Sequence, residues 1–183
     1  MEQVTPNMRR EAKVINFGIV YGMSAYGLSQ QLGIDAKVAQ NYIDEYFRKY
    51  QGVQAYIEKG LDEARQTGYV TTLLRRRRYL PDLQSPVAAV RQASERMAIN
   101  TPVQGTAADI IKLAMINIQN RIEALHLSTK MIMQVHDELV FEVPEDELEC
   151  ASSLIQKEME TVMELSVPLK VSIHSGKNWA EAH

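Results

Sequence analysis

The stretch from Thr129 to Val143 constrains the fold of this 183-residue chain more than any other. Met131, Met133 and Val135 alternate with Lys130, Ile132 and Gln134, and Leu139, Phe141 and Val143 alternate with Val140 and Glu142. A period of two belongs to half-buried strands, not to helices. The polar triplet His136-Asp137-Glu138 separates the two runs, so they read as a hairpin at 129–143 with an acidic tip. Pro144 closes the second strand, because proline brings no N–H to a ladder. Beyond it, Glu145 to Leu165 reads as a charged amphipathic helix and Pro168 to Ile173 as a last strand.

Ahead of the hairpin the signals are helical. Thr5-Pro6 supplies an N-cap and a first-turn proline for a helix near 6–22. Gly22 to Ser24 reads as a break, and a short helix ends at Gly33. Asp35 caps a longer helix to about Tyr50, with Gly52 as its stop signal and another helix from Val53 to Gly68. Tyr69 to Leu74 is rich in β-formers and reads as extended; four arginines, Tyr79 and a turn near Pro81-Asp82 follow. Pro86 opens a helix carrying Arg91 and Arg96, which Pro102 ends or kinks. A further helix runs from about Gln104 to Leu125. Helices first, then a small antiparallel sheet with helices, make an α+β pattern.

The length suits one domain or two small lobes, and 45% hydrophobic residues is ordinary for a globular chain. No apolar run approaches the roughly 18 residues that span a bilayer. Met1-Glu2-Gln3 has neither the basic start nor the apolar stretch of a signal peptide. A single cysteine, Cys150, excludes an internal disulfide and a cysteine-built zinc site, which fits a reducing cytoplasm; the residue reads as a small semi-buried side chain. Charge is split: residues 1–96 carry a balance of +4 and residues 97–183 a balance of -7. The first half therefore suits a polyanion. The acidic half can still attract phosphate through a divalent cation.

Arg9, Lys13, Phe17 and Tyr21 fall four apart, which keeps them on one broad helix face. Two readings fit. One is an amphipathic helix with core rings and a solvated basic end. The other is a nucleoside triphosphate site, with cations for the anionic tail and rings for the flat base. The tip also has two readings, a solvated turn or a hard-oxygen site for Mg2+. Adjacent strand residues face opposite ways, so Asp137 and Glu138 should not share one job. Arg96 and Asn100 suit one helix face, with Gln104 on a new turn, and the arginine run suits either solvent or phosphate. Tyr26, Tyr42, Tyr46 and Tyr50 read as core.

Taken in order, these segments resemble the C-terminal part of the family A DNA polymerases, of the bacterial DNA polymerase I type. Arg9-Arg10-x-x-Lys13-x-x-x-Phe17-Gly18-x-x-Tyr21-Gly22 resembles that family's fingers-helix motif, and Gln134-Val135-His136-Asp137-Glu138-Leu139-Val140 its palm-hairpin motif. Glu95 to Asn100, Gln104 to Asp109 and the ending Gly176-Lys177-Asn178-Trp179 are similar too. The resemblance implies a fingers subdomain over 1–85 and the C-terminal part of the palm over 86–183. It implies that Arg9 and Lys13 hold the triphosphate, with Lys13 a proton donor to the leaving pyrophosphate, and that Phe17 and Tyr21 attend the sugar and the nascent pair. It implies that Asp137 binds catalytic Mg2+ with Glu138 in support, that His136 approaches the primer end, and that Arg96, Asn100 and Gln104 read the minor groove. Arg76 and Arg77 are implied as DNA contacts. The chain departs from the family at Arg75, where glycine is common; positive φ costs an arginine energy, so the turn before Arg76 is expected to differ.

The partners implied are a DNA primer-template and deoxynucleoside triphosphates, with no membrane, and the location is the cytoplasm, at the nucleoid. The family's second metal-binding aspartate lies in a motif that the residues between Met1 and Arg9 do not contain. A truncated, nearly inactive excerpt is therefore expected, self-associating through an exposed palm-sheet edge. The alternatives are a non-catalytic nucleotide- or DNA-binding module and a metal-dependent nuclease built on Asp137 and Glu138.

Overall fold

The computed structural model describes residues 4–182, so the reading of Met1-Glu2-Gln3 lies outside the described residues. The fold is α+β: helices predominate, with two small antiparallel sheets. The chain divides into two compact units, Met1–Gly105 and Thr106–His183.

In the first unit, α1 (Pro6–Val20) starts as its sequence dictates. Thr5 Oγ1 accepts the Met8 N–H, and Pro6 occupies the first turn, where no N–H is needed. Gly22, at φ 75, breaks the chain after α1. α2 (Ala25–Leu32) ends at Gly33 in the left-handed conformation. α3 (Ala36–Lys49) is capped by the Asp35 carboxylate, which accepts the Lys37 N–H at 2.7 Å. α4 (Gln51–Thr67) begins before Gly52, which is therefore no stop signal; the break falls at Tyr50, with φ -115 and ψ 59. A terminating glycine works through positive φ, and among the described glycines Gly22, Gly33 and Gly68 adopt it while Gly52 does not.

β1 (Tyr69–Thr71) pairs antiparallel with β2 (Arg77–Tyr79), and a 3₁₀ turn follows at Pro81–Gln84. Ala64, Val70, Leu80, Leu83 and Ala98 form the buried cluster beneath this ribbon. The tyrosines expected in the core are not there. Tyr26 is 70% exposed, Tyr42 44% and Tyr50 46%, while half-buried Tyr46 donates to Asn16 Oδ1 at 2.8 Å. Small Ala39 is the buried residue of α3, so its tyrosines lie above the contact rather than in it.

α5 (Ala88–Ala124) is one helix with Pro102 inside it, so the proline does not end it. Proline forfeits the bond to the Ala98 carbonyl at a cost of about 3 kcal/mol.

In the second unit, β3 (Lys130–Val135) pairs with β4 (Glu138–Glu142), and a bulge between Met131 and Met133 resets the register. Met131 opposes Phe141 and Gln134 opposes Leu139, so Gln134 takes the face expected for Met133. Met131, Leu139 and Phe141 pack on Ala114, Ile118 and Ile122 of α5 and on Ala151, Leu154 and Ile155 of α6 (Leu148–Glu160). The helix expected to reach Leu165 stops at Glu160, capped by Thr161. Residues 168–173 form no strand: the Val171 N–H donates to Glu160 Oε1 at 3.1 Å instead of to a ladder. Cys150 is exposed rather than semi-buried. A last short helix, α7 (Trp179–Ala182), closes the described chain.

Candidate functional site

Arg9, Lys13 and Phe17 lie exposed along α1, and Tyr21 is its half-buried C-cap. The four-residue spacing brings the rings of Phe17 and Tyr21 into a near-parallel stack, with centroids 6.0 Å apart and planes 11° off parallel. Lys13 Nζ lies 5.9 Å from the Phe17 centroid, within range of a cation–π attraction. Phe17 keeps 46% of its surface in solvent, so the rings are not core. The face therefore offers a cation beside an open aromatic plane. Such a face can hold an anionic group and a flat ring system together.

Gly22 positions the end of α1. A Cβ there would lie 3.2 Å from Ile99 Cδ1 and 3.6 Å from Arg96 Cγ, so only a glycine with positive φ lets the turn close onto α5. The contact brings the end of α1 beside Arg96. Because α5 is continuous, Arg96, Asn100 and Gln104 share one helical row rather than two. Arg96 and Gln104 are exposed, and Asn100 is half-buried. The Asn100 side-chain oxygen is buried with no hydrogen-bond partner among the described residues.

The arginine ribbon abuts the same helix. Arg76 Nη2 donates to the Gly105 carbonyl at 3.2 Å, and Arg78 donates to Thr101 Oγ1 at 3.2 Å and to Met97 Sδ at 3.0 Å. The Arg77 guanidinium sits 4.7 Å from the Tyr69 ring centroid, on the face that Tyr69 shares with Tyr79. The turn before them retains positive φ, at Arg75 with φ 63, so the expected departure does not occur. A Cβ on Gly105 would come within 2.7 Å of Thr72 Cγ2, which explains a glycine in the middle of a long helix. The sequence signal was present, since an isolated glycine in a helical pattern marks close packing.

The second unit presents the acidic tip. The turn proper is His136-Asp137, and Glu138 already belongs to β4, opposite Val135. His136 adopts φ 54, as the first position of a two-residue hairpin turn requires, and Gln134 Nε2 braces its carbonyl at 3.0 Å. His136, Asp137 and Glu138 are all exposed. Among the described residues no three His, Cys, Asp or Glu side chains gather to hold a metal ion. Asp137 thus offers one oxygen ligand group and does not by itself fit a complete Mg2+ site.

One supporting residue escaped the sequence reading. Glu147 accepts the Ser128 N–H at 2.7 Å, the Thr129 N–H at 2.9 Å and the Thr129 hydroxyl at 2.7 Å, tying the start of β3 to the turn before α6. The Ser128 N–H, followed by Thr129, holds its carboxyl below the ordinary glutamate value. In the sequence it sits in Glu145-Asp146-Glu147, which looks like a solvated helix start.

Compared with known proteins, residues 1–181 match the family described as DNA polymerase family A. DNA polymerase I of Bacillus caldotenax is 52% identical over 181 residues, covering 99% of this chain and 21% of that protein. The thermostable DNA polymerase I of Thermus aquaticus is 51% identical over 181 residues, 99% of this chain and 22% of its own. A solved structure, the POL domain of Pol1 from M. smegmatis in complex with DNA primer-template and dNTP, superposes with a TM-score of 0.95 at 46% identity. It covers 99% of this chain and 32% of that one. The chain thus spans about a fifth of the length of the curated relatives it matches. No described helix is long and apolar enough to cross a membrane.

Proposed function

This chain belongs to DNA polymerase family A, and from that premise we propose that the intact protein adds deoxynucleotides to a DNA primer 3′ end under direction of a template, in replication or repair. The observation that carries the reading is the α1 face, where Lys13 stands beside the stacked Phe17 and Tyr21 rings. Its support is the likeness to a polymerase domain that was solved with primer-template and dNTP.

In this proposal residues 1–85 serve as fingers and residues 86–183 as the C-terminal part of the palm. Arg9 and Lys13 bind the triphosphate, and Phe17 and Tyr21 set the sugar and base. The primer 3′ hydroxyl releases its proton to water and its oxygen bonds to the α-phosphorus, while the bond from that phosphorus to the bridging oxygen breaks. Lys13 gives its proton to the departing pyrophosphate. Arg96, Asn100 and Gln104 touch the minor groove, whose acceptors sit alike for every correct pair, so the row suits fidelity rather than sequence reading. The Asn100 oxygen has no partner among the described residues, and the amide nitrogen of the same side chain is the group that can donate to those acceptors. His136 faces the primer end, and Arg76 and Arg77 face the DNA backbone.

Family A polymerases are metal-dependent. Mg2+ is the cation proposed here because carboxylate oxygens are hard ligands. Asp137 supplies one ligand group, Glu138 supports it, and the remainder comes from elsewhere in the intact protein. Acting on chromosomal primer-templates puts the protein in the cytoplasm, at the nucleoid.

The test is primer extension with deoxynucleoside triphosphates and Mg2+, run on the intact protein and on this chain alone. Template-dependent synthesis by the intact protein and almost none by the isolated chain are expected. An intact protein that binds nucleotide yet never incorporates it would be a binding module and would defeat the proposal. Robust synthesis by the isolated chain would show that Asp137 needs no help from outside it.

A further inference from the structure

Three exposed arginines of the run Arg75 to Arg78 are each anchored by a contact within the fold: Arg76 to the Gly105 carbonyl, Arg77 to the Tyr69 ring, and Arg78 to Thr101 and Met97. Arg75 differs. It is exposed, and its guanidinium has no hydrogen bond, ion pair or ring contact among the described residues. Its backbone is nevertheless fixed. The Arg75 N–H donates to the Thr72 carbonyl at 2.9 Å, the Thr72 N–H to the Arg76 carbonyl at 3.0 Å, and the Arg76 N–H to Thr72 Oγ1 at 3.2 Å. These bonds hold Arg75 at φ 63, a conformation that costs a residue with a Cβ energy. Leu73, 64% exposed, and Leu74, 47% exposed, share the tip. Residues 64–81 contain five arginines and no carboxylate, so no acidic neighbour in sequence competes for the cation.

We propose that the Leu73–Arg75 tip is a further contact for the nucleic-acid backbone, Arg75 neutralising one phosphate and the two leucines lying against sugar. A duplex presents a charge every 1.7 Å or so, so a cation on a fixed turn finds a phosphate whatever the base sequence. Fixing the turn also reduces the conformational freedom that a contact from a mobile loop would lose. The inference deepens the reading given under Proposed function and rests on the intact protein binding primer-template.

The experiment measures primer-template affinity of the intact protein against salt concentration, for the parent, Arg75→Gly and Arg75→Lys. Glycine removes the cation and tolerates the turn; lysine keeps the charge. Losing one phosphate contact makes the log–log salt slope shallower by about 0.9. The affinity gap between parent and Arg75→Gly should then narrow about 3.5-fold from 50 to 200 mM salt, equally for all sequences. Arg75→Lys should keep the parental slope. A parental slope in Arg75→Gly overturns this inference and leaves primer-template binding standing. An equally flattened slope in Arg75→Lys overturns it too, because charge is then not the cause. A parent that fails to bind primer-template at all overturns both this inference and the reading beneath it.

Discussion

Lys13 is the residue on which the proposed chemistry leans most. Its attraction to the Phe17 ring, at 5.9 Å, is an exposed cation–π contact of about 0.5–1 kcal/mol. Losing one preorganised charge at a phosphoryl-transfer site costs on the order of 10²–10³ in rate, about 2.7–4 kcal/mol. The packing term is therefore too small to mimic the catalytic one. Lys13→Ala is expected to slow single-turnover incorporation by on the order of 10²–10³ and to leave primer-template affinity close to parental; unchanged incorporation would take Lys13 out of the mechanism. Glu147 makes the second residue-scale prediction. Its carboxyl is held below the ordinary value by the Ser128 and Thr129 donors, so the charged form stabilises the fold. That stability is complete above the ordinary glutamate value of about 4.3 and is lost as pH falls through the lowered one. Glu147→Gln should be destabilised at neutral pH and should converge with the parent as the solution is acidified. Denaturant melts across pH read this out, and a constant difference down to pH 3 would show that the ionised carboxylate is not the source.

At the scale of elements, the legible features are those whose cause is local. Thr5, Asp35 and Gly33 announced their helix ends because caps are made by the capping residue itself. The hairpin was legible because alternation over two runs admits no other element. The bulge at Ile132 was not, since one extra residue is chosen by packing on α5 and α6 rather than by any turn residue. The last strand failed for the complementary reason: a strand needs a partner, and Val171 found the Glu160 carboxylate. Pro102 does not end α5, because the local cost of one proline is a single term in a helix of 37 residues. In the candidate site, the Arg9 to Tyr21 face and the acidic tip were legible from spacing. The single row of Arg96, Asn100 and Gln104 emerged only with the helix unbroken. Gly105 supplies the test of this packing. Gly105→Ala gains about 0.5–1 kcal/mol of helix propensity but forces a methyl within 2.7 Å of Thr72 Cγ2. Overpacking of this kind costs about 1–3 kcal/mol, so net destabilisation of about 1 kcal/mol is expected in equilibrium unfolding. A stabilised variant would mean that the β1–β2 ribbon lifts freely from α5.

At the scale of the whole molecule, the chain spans about a fifth of its curated relatives and matches their family over residues 1–181. Its charge division has a functional sense in the proposal. The basic part meets nucleotide and DNA phosphates directly, and the acidic part meets them through a cation. The reaction is proposed for the intact protein, of whose relatives this chain spans about a fifth. Within the intact protein Asp137 should then be indispensable to synthesis and almost irrelevant to grip, because most DNA affinity comes from phosphate contacts. The decisive measurement is primer extension and primer-template affinity, side by side, for the intact protein and its Asp137→Ala variant. Abolished synthesis with affinity within about twofold of the parent is the expected result. Synthesis at the parental rate would contradict the account at its centre.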